Sequence, residues 1–533
     1  MKTQSSASRS AAAAVLLVWT AFVLALQIHW LRTDTRPPSW DESHHLRLSA
    51  QYTDEFLSGK WGRIFEEHYF NYPPLYHWTL APVLKVMRGE SDAAGALNCL
   101  YLLLLISSVF FTIKYLCDDD PNPWPPVIGA VIVSSYPFLF YIGHFPLLDL
   151  PLTAWTAFGV LCLARCNGFC DRPWSVLLGV AWACGSMTKW TYFSYMLFPT
   201  VWLGVKSFPR EKRNILLFIC TALVLLLPWY YPNYIFVIRR MLISSGSGAM
   251  EGDPSIFRPE SWLWYARHFP IEMGWWGTVL ACAGLVIAIR DRRWGVLVGC
   301  VLFPYMFWSL TRNKDLRYIM PILPSVAILS ALVFRHVKTR WIVVCVMICG
   351  AQLGWSALAP MGSRGPSAAG HTFRLLGEYG AYPPVREDWR QKEILDRVLQ
   401  LKNPERDWCI LRTLSWEPFL SNLSLRYACV QYGWYGQIKP LNSDYSEKFA
   451  FTDFILDHTD GAMDRQSQDL IKNSKWFKKV FELETEWPMP PGAGKASLYK
   501  LAPQIVNGFS AEKLRRRLAN TPLNPDLKLG KVR

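Results

Sequence analysis

The sequence contains few charged residues and few of the patterns that mark soluble enzymes. Asp, Glu, Lys and Arg make up only 18% of its 533 residues, against roughly 25% in ordinary soluble domains. It has no GxGxxG or Walker loop, which are the glycine-rich patterns of nucleotide sites, and no internal repeat. Its 13 cysteines show no spacing typical of metal ligands. These absences argue against a soluble nucleotide-dependent enzyme and against a zinc protein.

Long apolar runs and aromatic residues are abundant instead. Hydrophobic residues make up 51% of the chain, and its 26 Trp and 23 Tyr are typical of proteins with interfacial aromatic belts. Several runs approach the ~20 residues needed to cross a bilayer. The sequence therefore predicts a polytopic α-helical membrane protein with about eleven spans, near 11–31, 93–116, 125–142, 148–164, 173–188, 190–206, 214–233, 271–290, 294–311, 319–335 and 341–359.

The formal net charge of +15 is concentrated in short segments between these runs. The clearest examples are KSFPREKRN (206–214), IRDRRW (289–294) and RHVKTR (335–340). This distribution follows the positive-inside rule, so these loops should be cytoplasmic, and nucleic acid is not expected as a partner. Alternation from a cytoplasmic N-terminus then places 32–92, 234–270 and everything after 360 outside. The first apolar run could alternatively be a cleaved signal peptide.

Residues 361–533 have a different composition, and we expect them to form an extracytoplasmic α/β domain. A segment rich in Pro, Gly and Ser (359–370) separates them from the membrane domain, residues 1–360. The periodicity predicts a helix over 389–401 and strands over 408–414, 425–432, 451–458 and 496–503. Cys409 and Cys429, the only two cysteines in this domain, could form a disulfide if the domain is exported.

Charged side chains framed by aromatics or proline occur at four points that should face outward. The first outer segment, 32–92, begins just after the first span, and Asp41 and Glu42 lie where the chain should leave the lipid. Charges at that depth are costly unless they face water, an ion or a substrate. All four points fall on the same side of the membrane, namely Trp40-Asp41-Glu42, His144 to Asp149, Thr188-Lys189-Trp190 and Thr311 to Tyr318.

These positions resemble the GT-C membrane glycosyltransferases, in the branch of the aminoarabinose transferases and the dolichyl-phosphate-mannose protein mannosyltransferases. No single motif is specific, but their order and spacing are. The matching features are Asp41-Glu42, a loosely matched Leu-x-x-Gly-x-Trp step with Gly59 and Trp61, Pro73-Pro74-Leu75-Tyr76-x-Trp78, Asp149 before an apolar run, Thr188-Lys189, and Arg317-Tyr318-x-x-Pro321-x-x-Pro324.

The resemblance implies transfer of a hexose or pentose from a polyprenyl-phosphate donor to an acceptor hydroxyl at the outer face of the plasma (inner) membrane. We predict that Asp41 is the general base, and that Glu42 and Asp149 orient the acceptor. Arg317, followed by Lys189 and Tyr318, should bind the donor phosphate. No cofactor is certain. A divalent cation is possible, with the acids as ligands, or with His44, His45 and His144 in a less favoured arrangement.

Two departures from the family pattern concern the donor. Relatives often have Lys before the Pro-Pro pair, where this chain has Tyr72, so the cation for the lipid phosphate must come from elsewhere. The residue after Thr-Lys is commonly Gly and is Trp190 here, which should narrow the groove or reshape the turn. The sugar and the acceptor, whether lipid, glycan or protein, stay open. A transporter or flippase of lipid-linked saccharides is the alternative function, and a noncatalytic glycan-binding scaffold is a further one.

Overall fold

The computed structural model describes residues 2–65, 72–248, 252–358, 384–414, 417–442, 452–458, 475–491 and 493–502. Up to Leu358 the described residues form a helical bundle around one large apolar core, with two smaller apolar clusters. Six helical segments of this described part are long and apolar enough to cross a membrane. A polytopic helical membrane protein is therefore confirmed, whereas the count of eleven spans stays a prediction.

Many helices of the bundle overlap the predicted spans. The bounds of the helices are α1 Lys2–Thr33, α2 Trp40–Leu57, α3 Leu75–Val86, α4 Ala93–Leu116, α5 Trp124–Ser134, α6 Pro137–Ile142, α7 Asp149–Arg165, α8 Arg172–Thr188, α9 Phe193–Ser247, α10 Pro259–Arg290, α11 Gly295–Ser309, α12 Leu323–Ala331 and α13 Thr339–Leu358. Helices α9 and α10 extend well beyond the predicted spans, and α2 and α3 lie between two of them. Helix α12 is flanked by short 3-10 segments, so the apolar stretch there extends over Leu316–His336. Helix α1 packs into the bundle, where Trp19 Nε1 donates to Ser134 Oγ at 2.8 Å.

Two predicted spans, 190–206 and 214–233, lie within the single helical stretch α9. The backbone leaves helical geometry at Glu211, inside the predicted basic loop. Trp182 of α8 donates to Thr200 at 3.1 Å and its ring lies 6.3 Å from that of Phe218. Eighteen residues of straight helix would separate Thr200 and Phe218 by about 27 Å. The chain therefore folds back at Glu211, and both halves of α9 pack on α8.

The predicted bounds of the loop 234–270 are wrong, because most of this range is helical, while its placement outside stays a prediction. Helix α9 continues to Ser247 and α10 starts at Pro259, so the non-helical connection is short. This extension carries the end of α9 beyond its apolar segment. The last turns of α9 consequently lie beside the ends of other helices, where they contribute to the site described below.

The first outer segment folds as two helices rather than as an extended loop. Helix α2 begins with a capping box, in which the Glu42 carboxylate accepts a hydrogen bond from the backbone N–H of Ser39 at 2.8 Å. Helix α3 follows directly after Pro73 and Pro74. The two helices pack together, and Tyr76, His77 and Leu80 of α3 are fully buried. Helices α2 and α3 are thus a fixed part of the fold.

After Leu358 the described residues form a five-stranded sheet with helices on it. The elements are α14 Gln391–Leu401, β1 Cys409–Thr413, α15 Asn422–Gln431, β2 Ile438–Asn442, β3 Phe454–His458, α16 Lys475–Val480, β4 Phe481–Pro488 and β5 Lys495–Leu501. The strand order is β2-β1-β3-β5-β4, with β1 parallel to β2 and β3, and β5 antiparallel to β3 and β4. The α/β class is confirmed. The boundary segment 359–370 lies outside the described residues, and the division at residue 360 stays a prediction.

Two predictions for the α/β unit are wrong. Residues 425–432 were expected to form a strand but belong to helix α15, because Ser421 caps the helix and Leu425, Ala428 and Cys429 are buried at helical spacing. Cys409 and Cys429, expected as a possible disulfide, are both free. Both cysteines are buried in the core between the sheet and its helices, where they pack as small apolar side chains.

Candidate active site

One polar cavity of about 350 Å³ opens between helix ends on one side of the bundle. Its wall combines charged side chains from five distant parts of the sequence with aromatic ones. Five of the six predicted site residues line it, namely Asp41, Asp149, Lys189, Arg317 and Tyr318. They come from α2, the start of α7, the α8–α9 turn and the 3-10 turn that follows α11. The structure therefore brings together nearly all of the charges that the sequence analysis singled out.

Asp149 and Lys189 form a buried ion pair in this cavity. Lys189 Nζ lies 2.8 Å from Asp149 Oδ1, and the two side chains are 13% and 3% exposed. Asp149 occupies the first turn of α7, where a carboxylate is favoured by the helix dipole. Lys189 has an extended backbone between the end of α8 and the 3-10 turn Trp190–Tyr192, so the connection between these two elements is tight. Trp190, the departure from the family pattern, lines the cavity.

The guanidinium of Arg317 contacts two carboxylates. Asp315 binds one of its edges, and Asp41 lies near the other. Its Nε and Nη2 donate to Asp315 Oδ2 at 2.8 and 2.6 Å, and its backbone N–H donates to Oδ1 at 2.9 Å. Burial would raise the pKa of Asp315, but the Arg317 guanidinium outweighs it and holds that pKa below its usual value. The remaining Nη1 lies 3.5 Å from Asp41 Oδ2. One edge of the guanidinium is thus fixed and the other is directed into the cavity.

Asp41 is the more accessible partner of this contact. Its side chain is 60% exposed, against 27% for Arg317. A separation of 3.5 Å makes it a weaker contact than the one between Arg317 and Asp315. An incoming hydroxyl group could therefore approach the Asp41 carboxylate without displacing a tight ion pair.

The aromatic ring of Tyr318 lines the cavity beside these charged side chains. Its ring stacks on Trp308 with centroids 4.6 Å apart, and Lys189 Nζ lies 5.9 Å from the Tyr318 centroid. The Tyr318 carbonyl accepts a hydrogen bond from Tyr195 at 2.6 Å. Aromatic faces of this kind support both cations and the apolar faces of sugars.

Glu42 is the one predicted site residue that does not line the cavity. Its carboxylate accepts the hydrogen bond from the Ser39 backbone that closes the capping box of α2. Burial raises its pKa, while the bonds with Ser39 oppose that shift. The structure therefore gives Glu42 a role in fixing the helix that carries Asp41. Its predicted role in orienting the acceptor has no geometric support.

Arg240 lines the same cavity and was missed by the sequence analysis. It lies near the end of α9, with its guanidinium carbon 5.9 Å from the centroid of the Tyr72 ring. Among the residues that the structure describes, it forms no ion pair. Arg240 therefore lies close to Tyr72, the position before the Pro-Pro pair at which relatives often have Lys. A signal was present in the sequence, since Arg239-Arg240 follows a span on the outer side, contrary to the positive-inside rule.

The histidines form packing contacts. His45 lines the cavity, and its Nδ1 lies 3.0 Å from His77 Nε2. Burial, aided by His77, lowers the pKa of His45 well below its usual value, which disfavours the charged imidazole. His144 stacks on Trp30 with centroids 4.0 Å apart. Within the described ranges no three His, Cys, Asp or Glu side chains are grouped as a metal site would require. The possible divalent cation stays a prediction.

Lys314, another charge of the predicted segment 311–318, has a structural role. Its Nζ donates to the carbonyls of Trp308, Ser309 and Thr311 at 2.9, 2.8 and 2.6 Å. These carbonyls lie at or just after the end of α11. A cation there donates hydrogen bonds to carbonyl oxygens that have no partner within the helix. Burial lowers the pKa of Lys314 to about 8, with Asp253 opposing that shift. Lys314 thus fixes the turn that carries Asp315 and Arg317.

Comparison with known proteins agrees with this picture. Residues 43–244 match the family model described as dolichyl-phosphate-mannose-protein mannosyltransferase. The chain is 24% identical over 315 residues to an undecaprenyl phosphate-alpha-4-amino-4-deoxy-L-arabinose arabinosyl transferase of Pseudomonas fluorescens, covering 54% of each protein. It is 24% identical over 348 residues to the corresponding transferase of Pseudomonas aeruginosa, covering 58% of each. The matches span little more than half the length of these relatives.

Solved structures share the architecture of nearly the whole chain. ArnT from Cupriavidus metallidurans bound to undecaprenyl phosphate aligns with a TM-score of 0.60 and 15% identity, covering 91% of this chain and 98% of ArnT. The oligosaccharyltransferase AglB from Archaeoglobus fulgidus, in complex with an inhibitory peptide and a dolichol-phosphate, aligns with a TM-score of 0.50 and 9% identity, covering 91% of this chain and 74% of AglB. The GT-C fold class is confirmed, and so is the resemblance indicated by the motifs.

Proposed function

Because this chain is a polytopic membrane protein of the GT-C type, we propose that it is a glycosyltransferase. It moves a sugar from a polyprenyl-phosphate donor to an acceptor hydroxyl on the outer face of the membrane. Support comes from the fold, from the matching segment 43–244, and above all from the convergence in one cavity of a carboxylate with three cations. The lipid, glycan or protein that accepts the sugar is the second substrate.

The reaction needs a group that takes a proton and groups that receive negative charge. The acceptor hydroxyl oxygen attacks the anomeric carbon, while the bond from that carbon to the phosphate oxygen breaks. The hydroxyl proton passes to a general base, and the lipid phosphate leaves with the bonding electrons. We assign the base to Asp41, because its carboxylate is accessible, lines the cavity and lies beside the cation Arg317.

The cations Lys189, Arg240 and Arg317 are assigned to the donor phosphate. Among the charged residues that line the cavity, these three face only two carboxylates, Asp41 and Asp149. Arg317 presents a fixed edge, and charge-assisted hydrogen bonds to phosphate oxygens are about twice as strong as neutral ones. In this proposal Asp149 positions Lys189 through their ion pair, and Tyr318 supports the sugar or the lysine.

The single observation that carries the proposal is the position of Asp41 opposite Arg317, at 3.5 Å in one cavity. The direct test incubates purified protein with a panel of polyprenyl-phosphate sugars and follows release of the lipid phosphate, with and without EDTA. Transfer from at least one donor is expected, and the EDTA arm decides the role of a divalent cation. Tight binding of every donor without any release would instead support a transporter or flippase, and no binding at all would favour a scaffold.

The relatives named as aminoarabinose transferases favour a pentose donor over a hexose. This choice is a further part of the proposal, because Tyr72 and Trp190 depart from the family pattern at the cavity itself. The donor panel should therefore include aminoarabinose, arabinose and mannose on the same lipid. Preference for a hexose would overturn the pentose assignment while leaving the reaction class intact.

The proposal places the cavity and the α/β domain on the extracytoplasmic side of the plasma membrane. A cysteine replacing exposed Glu260 should react with a membrane-impermeant thiol reagent in intact cells. A cysteine replacing exposed Lys212 should react only after permeabilisation, because the basic loop faces inside. Both variants need a background in which exposed Cys170 is replaced by serine. Reversed labelling would move the site to the cytoplasm.

Arg240 offers a prediction that separates donor binding from chemistry. Arg240→Gln should raise the KM for the donor about tenfold or more, since a hydrogen bond to a charged group is worth about 1.5–3 kcal/mol. The change in kcat should be smaller, because Arg317 and Lys189 remain. Arg239→Gln, an adjacent exposed arginine outside the cavity lining, is the matched control. Equal effects of the two changes on donor KM would remove Arg240 from the phosphate site.

A further inference from the structure

The α/β domain contacts the membrane domain at the two ends of the first outer segment, and helix α15 makes most of these contacts. Helix α15 packs along α2. Its Tyr427 is 1% exposed and belongs to the apolar core of the membrane bundle. The Tyr427 hydroxyl donates to the carbonyl of Gly89, just beyond α3, at 2.8 Å. One helix of the α/β domain therefore reaches into the other domain.

At the other end of the segment, α15 holds the residue that precedes the cap of α2. The Ser424 hydroxyl donates to the carbonyl of Pro38 at 2.8 Å, and that carbonyl also accepts from Ser43 at 2.8 Å. Ser424 is 1% exposed, and its oxygen lies 2.6 Å from Gln391 Nε2, which fixes it from within the α/β domain. Pro38 is three residues before Asp41, so this contact holds the chain just before the start of α2.

A second set of hydrogen bonds connects residues 34–39 to the α/β domain. These residues lead into α2 and are called the strap below. The backbone N–H of Thr35 donates to the carbonyl of Val385 at 3.0 Å. The Thr35 hydroxyl donates to the Glu387 carbonyl at 3.0 Å and accepts from the Glu387 N–H at 2.9 Å. Within the strap, Arg36 pairs with Asp34, and both side chains are buried. The strap is therefore fixed at Thr35 and at Pro38 before the chain enters α2.

From these contacts we infer that the α/β domain positions Asp41, with Ser424 and Thr35 as the positioning residues. The inference rests on the proposed function of Asp41. Neither residue lines the cavity, so each acts only through the strap and the first turn of α2. The donor cations Lys189, Arg240 and Arg317 belong to other elements. Loosening the strap should therefore displace the base while leaving the donor phosphate site in place.

The test combines kinetics with hydrogen exchange on the full-length protein. Ser424→Ala should lower kcat about tenfold, because a small displacement of a catalytic group is costly, while the donor KM stays unchanged. The same variant should accelerate amide exchange in the first turns of α2, residues 40–45, more than at the far end, residues 50–57. Thr35→Val keeps the shape of the side chain but removes both of its hydrogen bonds, and it should change kcat and amide exchange in the same way. It replaces Ser424→Ala as the test if that variant fails to fold.

Ser497→Ala is the matched control, since Ser497 is buried in the same domain and its hydroxyl bonds to Glu486, far from the strap. It should change neither kcat nor exchange in α2. The inference fails if exchange at 40–45 is unaltered, if it rises equally along all of α2, or if kcat is unchanged despite faster local exchange. An inactive wild-type protein would overturn the proposed function, whereas the exchange measurement would still decide whether the α/β domain fixes this turn.

Discussion

Replacing Asp41 by asparagine is expected to lower kcat by about 10²–10⁴-fold, the usual contribution of a positioned acid or base. Asparagine keeps the size of the side chain but does not accept a proton at neutral pH. Donor affinity should be unchanged or slightly higher, because the substitution removes a negative charge 3.5 Å from Arg317. Release of lipid phosphate measures kcat, and equilibrium binding of the donor measures affinity. The thermal unfolding midpoint should stay close to that of the wild type.

Glu42→Gln is the control for this prediction. Glu42 is adjacent in sequence and also an acid, but it caps α2 and does not line the cavity. Glutamine retains an oxygen that can accept the bond from the Ser39 backbone, so activity should remain within a few-fold of the wild type. Near-normal turnover in a folded Asp41→Asn protein would exclude Asp41 as the base. Similar large losses in both variants would instead indicate a defect in the α2 turn.

Four charged residues of the cavity were predictable because each lies near an apolar run. Asp149, Lys189 and Arg317 lie at the ends of spans and Asp41 follows the first span, and the positive-inside rule puts all four on one side of the membrane. Side and depth follow from such a pattern, but lateral proximity does not. The ion pair of Asp149 with Lys189 depends on how the helices pack, which hydropathy does not encode.

Arg240 was missed for a physical reason. Hydropathy ends the span near residue 233, yet α9 remains helical to Ser247, because a helix does not have to stop where the lipid stops. Glu42 was assigned to the site although Ser39-x-x-Glu42 fits the capping-box pattern, a local signal that predicts its observed partner. Charge alone therefore misassigned Glu42, and local helix chemistry would have placed it correctly.

The strand expected at 425–432 shows how composition can mislead. Tyr427, Val430 and Tyr432 favour strands, but Leu425, Ala428 and Cys429 recur at the spacing of one helix face. Packing of α15 against both the sheet and α2 selects the helix. The contact between α15 and α2 joins segments that are far apart in the sequence, and no local sequence pattern predicts it. The role inferred for Ser424 and Thr35 could therefore come only from the structure.

Arg317→Lys should weaken donor binding about tenfold to a hundredfold and slow departure of the phosphate, although the positive charge is kept. Asp315 holds the Arg317 guanidinium by Nε and Nη2 and thereby directs Nη1 into the cavity. A lysine has one terminal nitrogen, so it can pair with Asp315 or with a phosphate oxygen but cannot bridge them in a fixed geometry. The lost charge-assisted bond is worth about 1.5–3 kcal/mol.

Arg312→Lys is the matched control, since Arg312 belongs to the same segment but is exposed and lies outside the cavity lining. Both variants should be expressed and inserted at wild-type levels, and only Arg317→Lys should change the donor dissociation constant. Asp315→Asn should produce part of the same defect, because it leaves the guanidinium charged but less firmly oriented. If Arg317→Lys binds donor as tightly as the wild type, the guanidinium is a membrane-interface anchor, and the phosphate must be held by Lys189 and Arg240.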